Sequence, residues 1–460
     1  MLLLCVTGAF VSAQAAAEAP PNFVFFLVDD LGWGAMSAYG SSLHETPAFD
    51  QLCRRGMRFT NAYAACTVCS PSRAAILTGQ APARLRLTDW IPGHPSKNAP
   101  LAVPDWEQQM AAGQTTLPEA LGAHGYQTWF LGKWHLMPLY RKWSAEQRRA
   151  ARGLHTPEAH GFGVNIGGRE WGQPKGKGRF FSPFGMPGLE EAPAGEYLTD
   201  RLTDEAIRLL ESRSAEPFLL YLSYYTVHTP LMAKPEDVAY FLEKQGDEPG
   251  PEAQKRAVYA AMHKSLDESV GRIVAKLEAL GLTENTVVVF TGDNGGDRHD
   301  ACGGLRGRKA TAFEGGTRVP TCVVWPGEVE PGSVCEEPII GMDFYPTMLE
   351  AAGLPPMPEQ CLDGESLAPL LSGGGLGERA LYWHYPHYHR TTPYGAVRDG
   401  DWKLIEFYED ERSLLFNLSD DPAEQTDLAA AEPDVAARLR RSLGSWRTSV
   451  GAQMPTPVRE

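Results

Sequence analysis

The run Asn22-Phe23-Val24-Phe25-Phe26-Leu27-Val28 stops at two adjacent carboxylates, Asp29 and Asp30. Its β-branched and aromatic side chains leave no polar face. It therefore predicts a strand buried on both sides, as in a covered parallel sheet. The same form recurs at Phe218 to Tyr224, which runs into His228, and at Thr286 to Thr291, which runs into Gly292-Asp293-Asn294. Between these two, Ala257 to Leu280 carries Met262, Leu266, Val270, Ile273 and Leu277 at helical spacing. A short helix over Thr46 to Arg55 opens at Thr46-Pro47. Strand, helix and strand in alternation predict an α/β fold with a mostly parallel sheet. Ligands of such sheets sit beyond the carboxyl ends of the strands. Asp29, Asp30, His228, Asp293 and Asn294 all fall at such ends.

The rest of the chain sets the organisation. Leu136 to Glu196 is rich in Gly, Pro and charge and has no clear period, so it predicts an elaborated surface insertion. Ser372-Gly373-Gly374-Gly375 marks a boundary. The expected units are a catalytic domain over 20–372 and a smaller subdomain over 376–460. The latter holds short strands at Ala396–Arg398 and Trp402–Ile405, and a closing helix from Val435 to Trp446. Residues 1–17 predict a secretory signal: the apolar stretch Leu2 to Val11 is too short to span a bilayer, and Ala13-x-Ala15 and Ala15-x-Ala17 suit a signal peptidase. No Lys or Arg precedes that stretch. The protein is accordingly expected in the periplasm or outside the cell. A net charge of −15 argues against nucleic acid and anionic membrane as partners, although a local cluster of Lys, Arg and His still permits an anionic substrate. Eight cysteines are sparse for a disulfide scaffold, and one or two bridges would suit an oxidising compartment.

Cys66-Thr67-Val68-Cys69-Ser70-Pro71-Ser72-Arg73 admits two readings. As Cys-x-x-Cys it is a redox pair or half a zinc site, but no second such pair accompanies it. As Cys-x-Pro-Ser-Arg followed by Ala74-Ala75-Ile76-Leu77-Thr78-Gly79, it resembles the signature of the type I, formylglycine-dependent sulfatases. Only Cys69 has Pro two residues on and Arg four residues on. Further segments resemble that family's motifs, in its order: Asn22 to Gly34, Gly132-Lys133-Trp134-His135, His228-Thr229-Pro230, Thr291-Gly292-Asp293-Asn294-Gly295, and Leu305 to Lys309 with Glu314 to Pro320. The resemblance runs from Pro21 to about Leu428. It implies an alkaline phosphatase-like α/β fold: a mostly parallel central sheet flanked by helices, with a smaller C-terminal α+β subdomain.

Hard oxygen ligands suit Ca²⁺ or Mg²⁺, and Asp29, Asp30, Asp293 and the Asn294 amide supply them. Carboxylates crowded in one cleft do not all stay ionised without a cation. The resemblance implies Ca²⁺ before Mg²⁺. It also makes Cys69, oxidised to formylglycine (3-oxoalanine) by a formylglycine-generating enzyme, both a metal ligand and the nucleophile. Its hydrated aldehyde, a geminal diol, would attack sulfur in line. By the same resemblance Arg73 braces the diol, and Lys133 and Lys309 hold sulfate oxygens. His228 protonates the departing alcohol, and His135 takes the diol's second proton so that sulfate leaves.

Similarity to bacterial polysaccharide sulfatases implies a sulfated carbohydrate substrate, with a tilt towards galactose-type sugars. Aromatic faces beside charged groups suit pyranose rings, which makes Asp89, Arg169, Trp171, His384, His387 and Arg390 candidate sugar contacts. For Trp383 to Arg390, ordinary aromatic packing is an equal alternative, and three histidines in six residues also suit a transition metal. Two rival functions stand beside the sulfatase reading. A phosphonate monoester or phosphodiester hydrolase of the same superfamily shares the nucleophile motif. A non-catalytic glycan-binding protein on this scaffold would lack the nucleophile or a metal ligand, and none is missing.

Overall fold

The computed structural model describes residues 19–94, 98–111, 113–139, 144–151, 153–190, 192–246, 248, 250–355, 357 and 359–458. The expected signal segment 1–17, with Cys5, lies outside them. The main sheet is built from β1 (Asn22–Val28), β2 (Met57–Phe59), β3 (Gln127–Gly132), β4 (Val164–Ile166), β5 (Phe218–Ser223), β6 (Thr286–Gly292), β7 (Thr321–Val324) and β8 (Ser333–Cys335). Its order is β8-β2-β7-β6-β1-β5-β3-β4. Every pairing is parallel except those of β7 with β2 and β6. The expected mixed α/β fold with a mostly parallel sheet is therefore present.

Alternation along β1 explains why the run is apolar throughout. Val24, Phe26 and Val28 point to one face, where they meet Met262, Leu266, Val270 and Ile273 of the long helix Pro251–Ala279. Phe23, Phe25 and Leu27 point to the other, against Ala74, Ile76 and Leu77 of the helix Cys69–Thr78 and against Phe344. Burial of each large apolar side chain contributes about 1.5–3 kcal/mol, so a polar residue anywhere in the run would forfeit one such contribution. The helix Pro47–Arg55 starts at Pro47 as expected, but the side chain of Thr46 does not cap it. Instead Asp267, from the long helix, accepts the free N–H groups of Ala48 (2.9 Å) and Phe49 (2.8 Å).

The segment expected as a surface insertion is only partly so. Val164–Ile166 pairs with β3 as the edge strand of the main sheet. Phe180, Phe184, Met186 and Leu189 are buried in the core on the long-helix side. Loop packing imposes no period on a sequence, so these anchors leave no pattern to read.

The C-terminal subdomain is an antiparallel meander of β9 (Ala380–Tyr385), β10 (Tyr394–Asp399), β11 (Trp402–Phe407) and β12 (Ser413–Asn417). The helix Pro433–Ser449 closes one face through Ala436, Leu439 and Leu443. The other face packs Trp383, Tyr385, Tyr394 and Phe416 on Tyr63, Val68 and Ala310. Lys403 reaches across to Glu314 (2.8 Å) in the main domain while also holding Glu424 (2.9 Å). The seven described cysteines are free, so the bridges considered from the sequence are not formed among them. Among the described residues no helix is long and apolar enough to cross a membrane.

Candidate active site

Strands β6, β1, β5 and β3 lie side by side and run the same way, so their carboxyl ends line one edge. Asp293 and Asn294 follow β6, Asp29 and Asp30 follow β1, His228 stands five residues beyond β5, and Lys133 and His135 follow β3. The chain leaves β3 at Gly132 with φ 100°, where a Cβ would collide with the Ser223 carbonyl oxygen. Asp30 and His135 hold φ of 58° and 57°, a backbone strain that the surrounding packing must support.

Cys69 is the first residue of a helix buried on every side, whose end is set by Gly79 in the left-handed conformation. A helix N-terminus favours negative charge near Cys69. Arg73, one turn on, is fully buried; its Nε and Nη1 are hydrogen-bonded, while Nη2 meets Asp293 only as a close ion pair. Nε and Nη2 both lie 2.8 Å from Asp293 Oδ2, and Nη1 donates to Lys133 O (2.8 Å) and Ser223 Oγ (2.6 Å). Arg73 thereby ties the ends of β6, β5 and β3 together. Lys133 Nζ lies 2.6 Å from Asp29 Oδ2, and Lys309 Nζ lies 2.6 Å from Asp30 Oδ1 and 3.4 Å from Cys69 Sγ. Cys69 Sγ is 3.5 Å from Asp29 Oδ1. Lys309 is placed by its own backbone, which donates to Gly296 O, and by Ala310 N–H on Thr67 O (both 2.9 Å).

Burial dominates the electrostatics. It pushes the Asp29 carboxyl up to about 8 against the pull of Lys133, with Asp293 and Asp30 adding repulsion. Burial opposes ionisation of Asp30 too, but Lys309 and His228 outweigh it and hold that carboxylate well below its usual range. Burial pushes the Cys69 thiol up to about 12, so an unmodified Cys69 is not a thiolate at neutral pH. His135 is held well below 6.5 by burial, and then by Lys133. Its Nε2 stands 2.7 Å from the Ile91 carbonyl, which only accepts. The proton therefore sits on Nε2, and Nδ1, which has no hydrogen-bond partner, is the free base. Burial likewise lowers His228, to about 4. Its Nδ1 donates to Thr229 O (2.7 Å), which turns Nε2 towards Asp30 Oδ2 at 3.5 Å.

Asp29, Asp30, Cys69 and His228 offer ligand atoms that all lie within 4.8 Å of one another, a cluster able to hold a metal ion. Asn294 adds a buried Oδ1 without a hydrogen-bond partner, while its Nδ2 donates to Asp30 Oδ1 (2.8 Å). Asp293, by contrast, is engaged by Arg73 and by the Asp30 N–H (3.2 Å). The oxygen donors of the site, Asp29, Asp30 and Asn294, fit a hard cation, which would relieve the mutual repulsion of the carboxylates. Asp30, Cys69 and His228 of this cluster line the floor of a cleft of about 350 Å³, together with His135 and Lys309.

The Sulfatase family pattern matches residues 21–354, and the pattern described as N-sulphoglucosamine sulphohydrolase, C-terminal, matches residues 308–448. Arylsulfatase A of Homo sapiens is 32% identical, over 94% of this chain and 88% of its own length. The chain belongs to the sulfatase family. N-acetylgalactosamine-6-sulfatase of Rattus norvegicus is also 32% identical, over 96% of this chain and 87% of its own. A crystal structure described as Ps i-CgsB in complex with k-i-k-neocarrahexaose superposes with a TM-score of 0.78 at 27% identity, covering 96% of this chain and 95% of that one. The sulfatase is thus an enzyme of the sulfuric ester hydrolase class.

At the mouth of its cleft the sulfatase departs from the sequence reading. Asp89 is buried, accepting from Tyr385 Oη (2.7 Å) and from the N–H groups of Trp90 (2.9 Å) and His94 (3.3 Å). His384 spends both ring nitrogens on Tyr408 Oη and Gln453 O, and His387 bonds Thr88 Oγ1 (2.8 Å). These three residues stitch the loop over 88–94 and the C-terminal segment to the meander rather than facing the cleft. The transition-metal reading of the histidines and the zinc reading of Cys66 find no such cluster among the described residues. Arg169 stacks on Trp171 at 3.6 Å and pairs with Glu170, beside the cleft rather than on its lining. Arg390 does line the cleft, paired with Asp297. The lining residues missed from the sequence are Ile91, Gly172, Gln173, Lys175 and Asp297. Asp297 carried a signal, four residues past Asp293 on the same loop; the others lie on irregular loops with none.

Proposed function

We propose that this sulfatase removes sulfate from a sulfated carbohydrate, with a tilt towards galactose-type sugars. The observation that carries the reading is Cys69 at the floor of an open cleft, within 3.5 Å of both Asp29 and Lys309. A cysteine so buried is a poor thiolate and hence a poor nucleophile unmodified; conversion to formylglycine by a formylglycine-generating enzyme would supply a hydrated aldehyde in its place. One similar structure holds a neocarrahexaose and one relative is an N-acetylgalactosamine-6-sulfatase; both support a sugar as the leaving group. The segment 1–17 supports a secreted or periplasmic setting.

Asp29, Asp30 and Asn294 would hold a divalent cation, Ca²⁺ before Mg²⁺, with Asp293 and position 69 completing the site. The bound cation would neutralise negative charge and acidify a hydroxyl at position 69. Lys133 and Lys309 then hold sulfate oxygens, turning from Asp29 and Asp30 to the substrate. Arg73 fixes the geometry through Asp293 and stays put. His228 Nε2 gives a proton to the departing sugar oxygen; an approaching sulfate raises its affinity for that proton from the low value of the free site. His135 Nδ1, neutral throughout, takes the proton that releases sulfate.

The test is free sulfate from a panel of sulfated galactose, N-acetylgalactosamine and glucosamine saccharides, with the enzyme made in a maturation-competent host. Mass spectrometry of the peptide carrying Cys69 checks its conversion. Release from one sugar is the expected result. Fully converted enzyme that cleaves an aryl phosphonate faster than any sulfate ester would overturn the reading.

A further inference from the structure

We infer that Ser70 is a positioning residue for the sulfate-release step: its hydroxyl fixes both His135 and the Ile91 carbonyl that orients the His135 ring. This rests on the role given to His135 above and adds the group that holds that base in place. Ser70 is the second residue of the helix Cys69–Thr78 and is wholly buried. Its Oγ donates to the His135 carbonyl (2.8 Å) and accepts the Ile91 N–H (3.1 Å). The Ile91 carbonyl in turn accepts from His135 Nε2 (2.7 Å). One hydroxyl thus closes a circuit of three hydrogen bonds through the base, and a buried hydroxyl is satisfied by doing so.

The other neighbours leave the imidazole little freedom. The His135 N–H donates to Arg169 O (3.1 Å). A Cβ built on Gly172 would lie 2.6 Å from His135 Cε1 and 2.7 Å from Nε2, so the ring edge already rests against that loop. His135 also holds its φ of 57°, which a residue other than glycine keeps only where packing supports it. With Nε2 committed to Ile91, Nδ1 is the nitrogen left to accept a proton. Without the Ser70 hydroxyl, the buried Ile91 N–H and His135 carbonyl each lose a partner. The loop carrying Ile91 is then free to shift, and Nδ1 loses its set position. None of the three bonds involves Lys133, Lys309 or His228, which serve the earlier transfer of sulfate from the substrate. Because Ser70 follows Cys69 directly, one turn of helix both carries the nucleophile and fixes the base of the second step.

The experiment uses nitrophenyl sulfate, which gives up its phenol in the first step and its sulfate in the second, with rates taken per converted enzyme. Ser70→Ala should lower kcat by about 10- to 100-fold and KM in parallel, leaving kcat/KM within about twofold. A rapid burst of nitrophenol, matching the enzyme concentration, should precede the slow steady state. His135→Ala should give the same burst. A second measurement needs no conversion of Cys69: nitrogen-15 NMR of the unconverted protein, with the His135 ring assigned by its loss in His135→Ala. The wild type should carry the ring proton on Nε2 alone, and Ser70→Ala should lose that single form. A burst in His135→Ala but not in Ser70→Ala, or an unchanged ring signal in Ser70→Ala, would overturn the role of Ser70 and keep that of His135. No burst in either variant would overturn both.

Discussion

The floor and the mouth of the cleft are built on opposite plans. At the floor, four adjacent strand ends deliver the polar groups, and each group is locked by another: Arg73 by three strand ends, Lys133 by Asp29, Lys309 by Asp30. At the mouth, loops over 88–94 and 169–175 and the connection after β9 that carries His389 and Arg390 meet from separate parts of the chain. Their buried polar residues, Asp89, His384 and His387, hold the loops, while their neighbours line the cleft. Chemistry common to a family thus sits on the rigid sheet, and whatever distinguishes substrates sits on loops that a few buried anchors position.

The largest effect should come from the floor. Asp29→Asn keeps the shape but removes a carboxylate that faces Cys69 and Arg73 and pairs with Lys133. Sulfate release should fall by about 10³-fold or more for every substrate, sugar or aryl, because the reacting centre itself is damaged. Bound metal, measured by elemental analysis, should fall with it. An unchanged rate would remove Asp29 from the site and blur the division between floor and mouth.

A smaller and more selective effect should come from the boundary between the two regions. His228 is needed only where the leaving group needs a proton. His228→Gln should lower kcat by about 10²–10⁴-fold for a sugar sulfate and by far less for a nitrophenyl sulfate, whose phenolate leaves unaided. In the wild type, loss of the His228 proton should make sugar turnover decline as pH rises, while His135, held well below 6.5, stays a neutral base throughout. Equal losses on both substrates would make His228 a ligand or a positioning group instead.

The same contrast explains what the sequence made visible. β1, β5 and β6 were legible because burial on both faces demands unbroken apolar runs, and the carboxylates that end two of them stand out. β4 was not, since Val164–Ile166 is short and half-buried and carries no pattern. Cys69, Lys133 and His135 were legible as motifs, although β3, which carries the latter pair, was not recognised as a strand. At the mouth, residue type misled. A buried anchor and a sugar contact draw on the same aromatic and imidazole side chains, and only the direction of a loop separates them. Asp89 and His387 point inward, whereas Trp90 and His389, next or next but one in sequence, face the cleft.

The smallest effect should decide whether Asp89 is an anchor at all. Burial raises its carboxyl to about 7 against the pull of Tyr385 and the N–H groups of Trp90 and His94, from 3.8 when exposed. Between these values the folded protein keeps a proton that the unfolded chain releases. This contribution to stability is therefore fully present below 3.8 and is lost as pH rises to about 7. Asp89→Asn does not titrate and still accepts from Tyr385 and Trp90 through its amide oxygen. The variant should thus show a smaller fall in melting temperature than the wild type between about pH 4 and pH 7, measured by scanning calorimetry. Its kcat/KM should stay within about threefold on both sugar and aryl sulfates, because Ile91, whose carbonyl orients His135, remains in place. A loss confined to the sugar substrate, with an unaltered pH dependence of melting, would make Asp89 part of the recognition surface and move the line between anchors and contacts one layer inward.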